Sequence, residues 1–231
     1  MGSIRDADDR ISGDPVDGGI NNPGFVAFVN ALLEGRLKLG QTVKQDELCE
    51  ILKLSLSPLR EAMTLLEAEG LVQVRKRMGV TIFYPDVKFV GGTFQFRELL
   101  ESEGLRKFAG TVSEEWIKST SESHLEMMAY VRKVNDQRIF APAMRTLEQA
   151  FHGSFIAAFD NEQITANYRR LLQKMYLIRL INLDAVNAAN TIISLEEHLD
   201  IVEALQRRDT PRAVEALKRH IKGVIHRTLT H

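Results

Sequence analysis

The chain has 231 residues, 44% hydrophobic and 26% charged, with a formal net charge of -1 and a pI near 6.6. That is enough apolar content for one large domain or two small ones, and it excludes a broadly basic coat for nucleic acid while leaving room for a local basic patch. The single cysteine, Cys49, excludes an intrachain disulfide and fits a reducing cytoplasm; no apolar run approaches the roughly 20 residues that span a membrane, and the acidic, polar N-terminus is unlike a signal peptide.

Residues 1–24 hold five Gly, five Asp and two Pro, a composition that predicts a disordered arm. From Phe25 the periodicity turns helical, with Phe25, Phe28, Val29, Leu32 and Leu33 on one face and Gly35 as the stop. The stretch LKLGQTV reads as a turn, and Asp46 to Lys53 as a short second helix with Leu48, Ile51 and Leu52 inward. LSLSPLREAMTLLEAEGLV then supplies a third helix. Ser57 is its expected cap, Pro58 fits the first turn, Leu59, Met63 and Leu66 make a buried stripe, and Gly70 ends it. LVQVR, KRMG and VTIFY read as strand, turn and strand, a hairpin with Gly79 near its tip. Three helices followed by a hairpin make the winged helix-turn-helix order over residues 25–85, with 86–92 as a linker. Beyond it, helices are predicted near 93–109, 113–133, 137–159, 161–182, 188–207 and 211–228. The expected fold is mostly α: an N-terminal winged helix-turn-helix and a C-terminal antiparallel six-helix bundle over 93–231.

Two constellations carry chemistry. In a helix-turn-helix the second helix of the motif turns its N-terminal residues toward base edges in the major groove. Here these are Ser55, Leu56, Ser57, Leu59, Arg60 and Thr64. Arg60 suits a guanine or a phosphate, and the serine hydroxyls suit phosphate oxygens. The hairpin adds Arg75, Lys76 and Arg77 beside Gly79, a cluster suited to backbone or minor-groove contact. Residues 25–84 hold eight Lys or Arg against seven Asp or Glu, so the case rests on where the charges sit. The second constellation is histidine-rich. Glu148 and His152 are four apart and share a helix face. His198 and His220 each lie eleven residues from Asp209, so an antiparallel helix pair brings them to one height. One carboxylate and three imidazoles suit Zn²⁺, with Ni²⁺, Mn²⁺ or Fe²⁺ as alternatives; spacing alone favours ordinary surface or satisfied core histidines. Met127, Met128, Met144, Met175, Tyr130 and Tyr176 fit an apolar ligand pocket or plain core.

The stretch GRLKLGQTVKQDELCEILKLSLSPLREAMTLLEAEGLVQVRKRMGVTI resembles the N-terminal domain of GntR-type bacterial transcription regulators, through the Gly35–Gly40 turn, the core Ser55, Pro58, Arg60, Glu61 and Ala62, the helix exit from Leu66 to Val72, and Gly79. The C-terminal half resembles the FCD effector domain of the FadR branch. That resemblance rests on Arg97 with Leu100 and Glu101, on EQAFHGSFIAAFDNEQI, and on EEHLDIVEALQRRDTPRAVEALKRH. Six helices resemble the shorter, VanR-like form. The resemblance implies a ligand-responsive transcription regulator, commonly a repressor and not an enzyme. It further implies a divalent metal, zinc first, on Glu148, His152, His198 and His220, and a small organic acid in the same cavity; Arg97 is the candidate anion partner and Arg179 a weaker one, with an interhelical salt bridge as the competing reading of either. Two positions depart from the family: Leu56 stands where arginine is usual, and Glu148 where aspartate is. A homodimer on a pseudo-palindromic operator follows from the need to reach successive major grooves. The rival from another class is a metal-dependent enzyme using the Glu/His cluster; a third is a helical adaptor without a ligand.

Overall fold

The computed structural model describes residues 22–75 and 78–230, and the chain divides into two compact units, Met1–Phe83 and Tyr84–His231. Residues 1–21 of the expected arm, with Lys76 and Arg77, lie outside the described residues.

The first unit runs α1 (Pro23–Leu33), β1 (Thr42–Val43), α2 (Gln45–Leu52), α3 (Leu56–Ala68), β2 (Val72–Arg75) and β3 (Gly79–Ile82). Asn22 caps α1 by accepting from the backbone N–H of Gly24 and Phe25, at 2.9 and 3.1 Å. Pro23 takes the first helical position, where its missing N–H is harmless. Pro23 and Gly24 therefore belong to the helix and not to the arm. Lys53, at φ 55°, turns α2 into α3. The cap of α3 is Ser55 rather than Ser57, and Ser57 and Pro58 fall in the first turn. Leu59, Ala62, Met63 and Leu66 bury one face of α3, which packs on α1 and α2.

The reading of LKLGQTV as a turn misses β1. Thr42 and Val43 pair antiparallel with Thr81 and Val80, which gives a three-stranded sheet of order β1-β3-β2. Gly79 makes this possible: its φ is +116°, and a Cβ there would lie 2.3 Å from the Val43 carbonyl oxygen. Glu67 of α3 accepts from the Val74 N–H at 2.8 Å and ties that helix to β2.

The second unit comprises α4 (Val87–Ala109), α5 (Glu114–Val134), α6 (Gln137–Ala157), α7 (Glu162–Arg179), α8 (Ala188–Gln206) and α9 (Thr210–Leu229), with a 3₁₀ turn at Leu183–Ala185. Among the described residues there are thus nine α-helices and one small sheet. Five bundle helices match their expected spans to within a turn. The sixth, α4, starts at Val87 instead of 93, so the expected linker 86–92 is helical. Gly91 and Gly92 argue against helix at roughly 1 kcal/mol each. Asp86 offsets this by capping Phe89 N–H at 2.7 Å, worth about 1 kcal/mol. The burial of Val90 adds roughly 1.5–3 kcal/mol more.

Within the bundle α4 packs on α6, α7 and α9, α5 on α6 and α8, and α8 on α9. Phe94, Leu105, Phe151, Phe155, Leu205 and Leu217 belong to its core. Met175 lies in the same core, while Met128 and Met144 form a smaller cluster with Leu195, so these methionines are packing residues. The backbones of α4 and α6 approach closely at Gly104, where a Cβ would lie 2.3 Å from the Phe155 carbonyl oxygen. Glu101 and His152 each lie one turn before that crossing, and the approach sets them face to face. Among the described residues no helix is long and apolar enough to cross a membrane.

Candidate functional site

In the first unit, Ser55, Leu56, Ser57 and Arg60 are exposed at the N-terminal end of α3, and Thr64 is exposed one turn further on. Leu56 is 42% exposed, an apolar side chain presented outward at the first helical position. Leu59 is 0% exposed; it is core, and burial removes it from the DNA-facing set. Thr64 turns its hydroxyl back to the Arg60 carbonyl at 3.0 Å. On the wing, Arg75 is exposed and, among the described residues, its guanidinium bonds Gln73 at 3.2 Å, a neutral partner that leaves its charge uncompensated. The candidate interface is a row of exposed side chains on a packed scaffold, with no buried charge beneath it among the described residues.

The second unit is built the opposite way. His152 of α6, His198 of α8 and His220 of α9 are all buried, and their ligand nitrogens lie within 4.8 Å of one another. His198 Nε2 is 3.2 Å from His152 Nε2 and 3.3 Å from His220 Nε2. Tetrahedral bonds of about 2.0–2.1 Å to one ion place ligand nitrogens about 3.3 Å apart, so the cluster has the dimensions of a three-histidine metal site.

The outer partners of these rings fix where their protons sit. Arg97 Nη2 lies 3.0 Å from His152 Nε2. A guanidinium only donates, so that nitrogen carries a lone pair. With Nε2 an acceptor, the proton of the neutral ring falls on Nδ1, which lies 2.8 Å from Glu101 Oε2, close but out of hydrogen-bond alignment. His220 Nδ1 likewise meets Glu197 Oε2 at 2.8 Å, which leaves its Nε2 free of hydrogen. Carboxylate–histidine pairs of this kind are the usual outer support of a metal-ligating imidazole. Burial holds His220 down to about 4, against the opposing pull of Glu197. Burial, with the crowding by His220, His152 and His124, pushes His198 well below the ordinary histidine value.

The acidic and basic partners are themselves tied. Burial alone would raise the Glu101 carboxyl, but Arg97 and His152 beside it hold it far below the usual range. Arg97 Nε and the Tyr168 hydroxyl both donate to its Oε1, at 2.7 and 2.6 Å. Arg227 grips Glu197 with two bonds, at 2.9 and 2.7 Å. Arg97 is therefore committed to an internal network.

Glu148 stands on the same face of α6 as His152 but outside the three-histidine group. Arg179 Nη2 donates to its Oε2 at 2.5 Å. Burial would raise this carboxyl, yet Arg179 brings it down to about 2. The Arg179 side chain remains 32% exposed, against 5% for Arg97. Tyr176 packs its ring against the Arg145 guanidinium at 5.1 Å. A separate cleft of about 870 Å³ along α4 and α9, lined by Phe96, Leu99, Lys218 and Lys222 among others, includes none of the histidines.

The sequence reading named His152, His198 and His220 but passed over His124, which is also buried and lies beside His198. A signal existed. His124 falls on the apolar stripe Ile117, Met128 and Val131 of α5, and a polar residue at a core position needs a partner. Glu101 falls likewise on the stripe of Phe94 and Leu105.

Residues 93–223 match the FCD domain family, and residues 27–82 match the gntR family of bacterial regulatory proteins. A "Probable D-xylose utilization operon transcriptional repressor" of Paenarthrobacter nicotinovorans is 29% identical over 87% of this chain and 85% of its own. The "HTH-type transcriptional repressor RspR" of Escherichia coli K12 is 24% identical over 80% of this chain and 78% of its own. The solved structure of E. coli McbR/YncC, 16% identical, superposes with a TM-score of 0.65 over 87% of this chain and 93% of that one, a likeness of fold. These families and relatives are transcription regulators and not enzymes, and repressors are among them. The chain belongs to the FCD-domain regulators and is a transcriptional regulator of the GntR family.

Proposed function

We propose that the chain is a ligand-responsive repressor that acts in the bacterial cytoplasm, binds a pseudo-palindromic operator as a homodimer, and holds a divalent ion, zinc by preference, in its helical unit. The observation that carries the metal reading is the convergence of three buried imidazole nitrogens, two of them fixed as lone-pair bearers by Arg97, Glu101 and Glu197. The Nε2 atoms of His198 and His220 face one another at 3.3 Å, where a cation would remove the repulsion of two lone pairs, while His152 Nε2 would exchange its bond from Arg97 for the ion. Imidazole suits Zn²⁺, with Ni²⁺ and Fe²⁺ close behind and Mn²⁺ less favoured. When bound, the ion supplies positive charge and an open position for an oxygen ligand. Glu148 is one turn from His152 and becomes a fourth ligand once it leaves Arg179.

The same exchange frees Arg179 for an incoming anion. Arg179 is the better carboxylate partner of the two arginines because it is part-exposed and holds one movable partner, whereas Arg97 is locked between Glu101 and His152. A small organic acid is the effector class this favours. It alters repression only through a difference between its affinities for the DNA-bound and free forms. On the DNA side, Leu56 in place of the usual arginine favours a thymine methyl over guanine acceptors at one base of each half-site.

The test is metal content. Purified wild-type chain is expected to carry about one divalent ion, and His198→Ala combined with His220→Ala to carry none; equal content in the two would remove the site.

A further inference from the structure

His124 is 0% exposed, sits on α5, which packs against α8, and meets the cluster at His198. Its Nδ1 lies 2.8 Å from the Thr120 backbone carbonyl, and its Nε2 lies 3.1 Å from His198 Nδ1. Phe151 holds both rings, stacked on His198 at 4.4 Å between centroids and edge-on to His124 at 5.2 Å. A carbonyl oxygen only accepts, so the proton of His124 sits on Nδ1. In a dry interior the ring stays neutral, and its Nε2 is left as an acceptor aimed at His198.

The consequence for His198 is specific. Without an ion, the cluster has a simple way to satisfy itself: His198 would carry its proton on Nε2 and donate to the lone pair of His220, 3.3 Å away, since that of His152 already accepts from Arg97. That tautomer would turn a bare His198 Nδ1 toward the bare Nε2 of His124. His124 forbids it. It draws the His198 proton to Nδ1 and leaves a lone pair on Nε2, facing that of His220 and the His152 nitrogen that accepts from Arg97.

We propose that His124 is a positioning residue of the metal site, which fixes His198 in the metal-binding tautomer through a relay from the Thr120 carbonyl. This rests on the three-histidine metal reading above. His124 coordinates nothing itself. It denies the ion-free cluster an internal hydrogen bond and so keeps the site poised for a cation. Outer partners of metal-bound imidazoles typically contribute 10–100-fold in affinity.

The test is Zn²⁺ affinity of the full chain by competition with a chromophoric chelator, in wild type, His124→Phe and His124→Gln. Phenylalanine keeps a planar ring without the acceptor, and glutamine restores an oxygen near the Nε2 position. The expected result is roughly 10–100-fold weaker binding for His124→Phe, and binding within a few-fold of wild type for His124→Gln. The rise in melting temperature on adding Zn²⁺ should shrink in the phenylalanine variant and recover in the glutamine variant. Equal affinity in His124→Phe overturns the role. Weakening that is equal in both variants overturns the relay in favour of plain packing. Wild type that takes up no Zn²⁺ overturns the metal reading itself, and this role falls with it. A measurement on unmutated protein stands beside these: ¹⁵N-detected imidazole spectra of the Zn²⁺-loaded chain should show the proton on Nδ1 of both His124 and His198, and an Nε2 proton on His124 contradicts the proposal.

Discussion

The first unit displays its chemistry on the outside of its own packed core, and the second encloses its chemistry within its own. On α3 and the wing, Arg60, Arg75 and Leu56 stand in the open, and the apolar face formed by Leu59, Met63 and Leu66 does no more than hold them up. In the helical unit, four imidazoles lie inside the core, with Arg97 and Glu101 fully buried beside them and Glu197 and Arg227 close at hand. A surface site meets a polymer too large to enter a protein and works by display. An interior site meets an ion or a small acid and works by desolvation, which strengthens every charge contact and punishes every one left unmade. The difference predicts that changes at the interior site act on stability as well as on binding, while changes at the surface act on binding alone.

The largest effect should follow from Arg97→Met. It strands the Glu101 carboxylate, 0% exposed, without its main counter-charge. A loss of about 3–5 kcal/mol is expected in urea melts of the metal-free chain. A loss below about 1 kcal/mol would mean that Tyr168 and His152 satisfy Glu101 by themselves. Acid should act in the same direction. His220 is held neutral, with its folded value lowered to about 4. Its contribution to metal-free stability is therefore fully present above its unfolded value near 6.5 and is lost as pH falls through about 4. A melting temperature that stays flat between pH 7 and 4 would argue against a neutral, buried His220.

Arg60→Ala should leave the melt unchanged and weaken operator binding by about 1–3 kcal/mol, the span of one good base contact. Unchanged affinity would take Arg60 off the reading face. The smallest effect belongs to Leu56→Arg. Total affinity should move little, while base preference changes at one position per half-site, as read by sequencing selected duplexes. An unaltered preference would show that this exposed side chain faces no base.

The surface site was the more legible of the two in sequence, because its residues lie within one stretch of about twenty and their order is the order of the helix-turn-helix itself. What misled there was local. Ser57 looked a better cap than Ser55 because proline follows it, Leu59 lay within the right segment but on the inner side, and β1 is only two residues long. The interior site spreads over α4, α5, α6, α8 and α9. Counting from the Asp209 turn was enough to pair His198 with His220, since an antiparallel hairpin of helices preserves height. Nothing in the linear order brings His124 to His198, 74 positions later. That contact depends on how α5 lies on α8. Glu148 shows the reverse limit: its spacing to His152 is right for a shared face, but Arg179, 31 residues on, competes for the carboxylate.

If the interior site governs the exposed one, selection of duplexes from a random DNA pool, with Zn²⁺-loaded protein and with protein stripped by chelator, should recover one palindromic motif whose affinity differs between the two forms by roughly 5–150-fold, the usual size of coupling between distant sites. A palindrome bound equally tightly by both forms would show that the histidine cluster has no say in DNA binding.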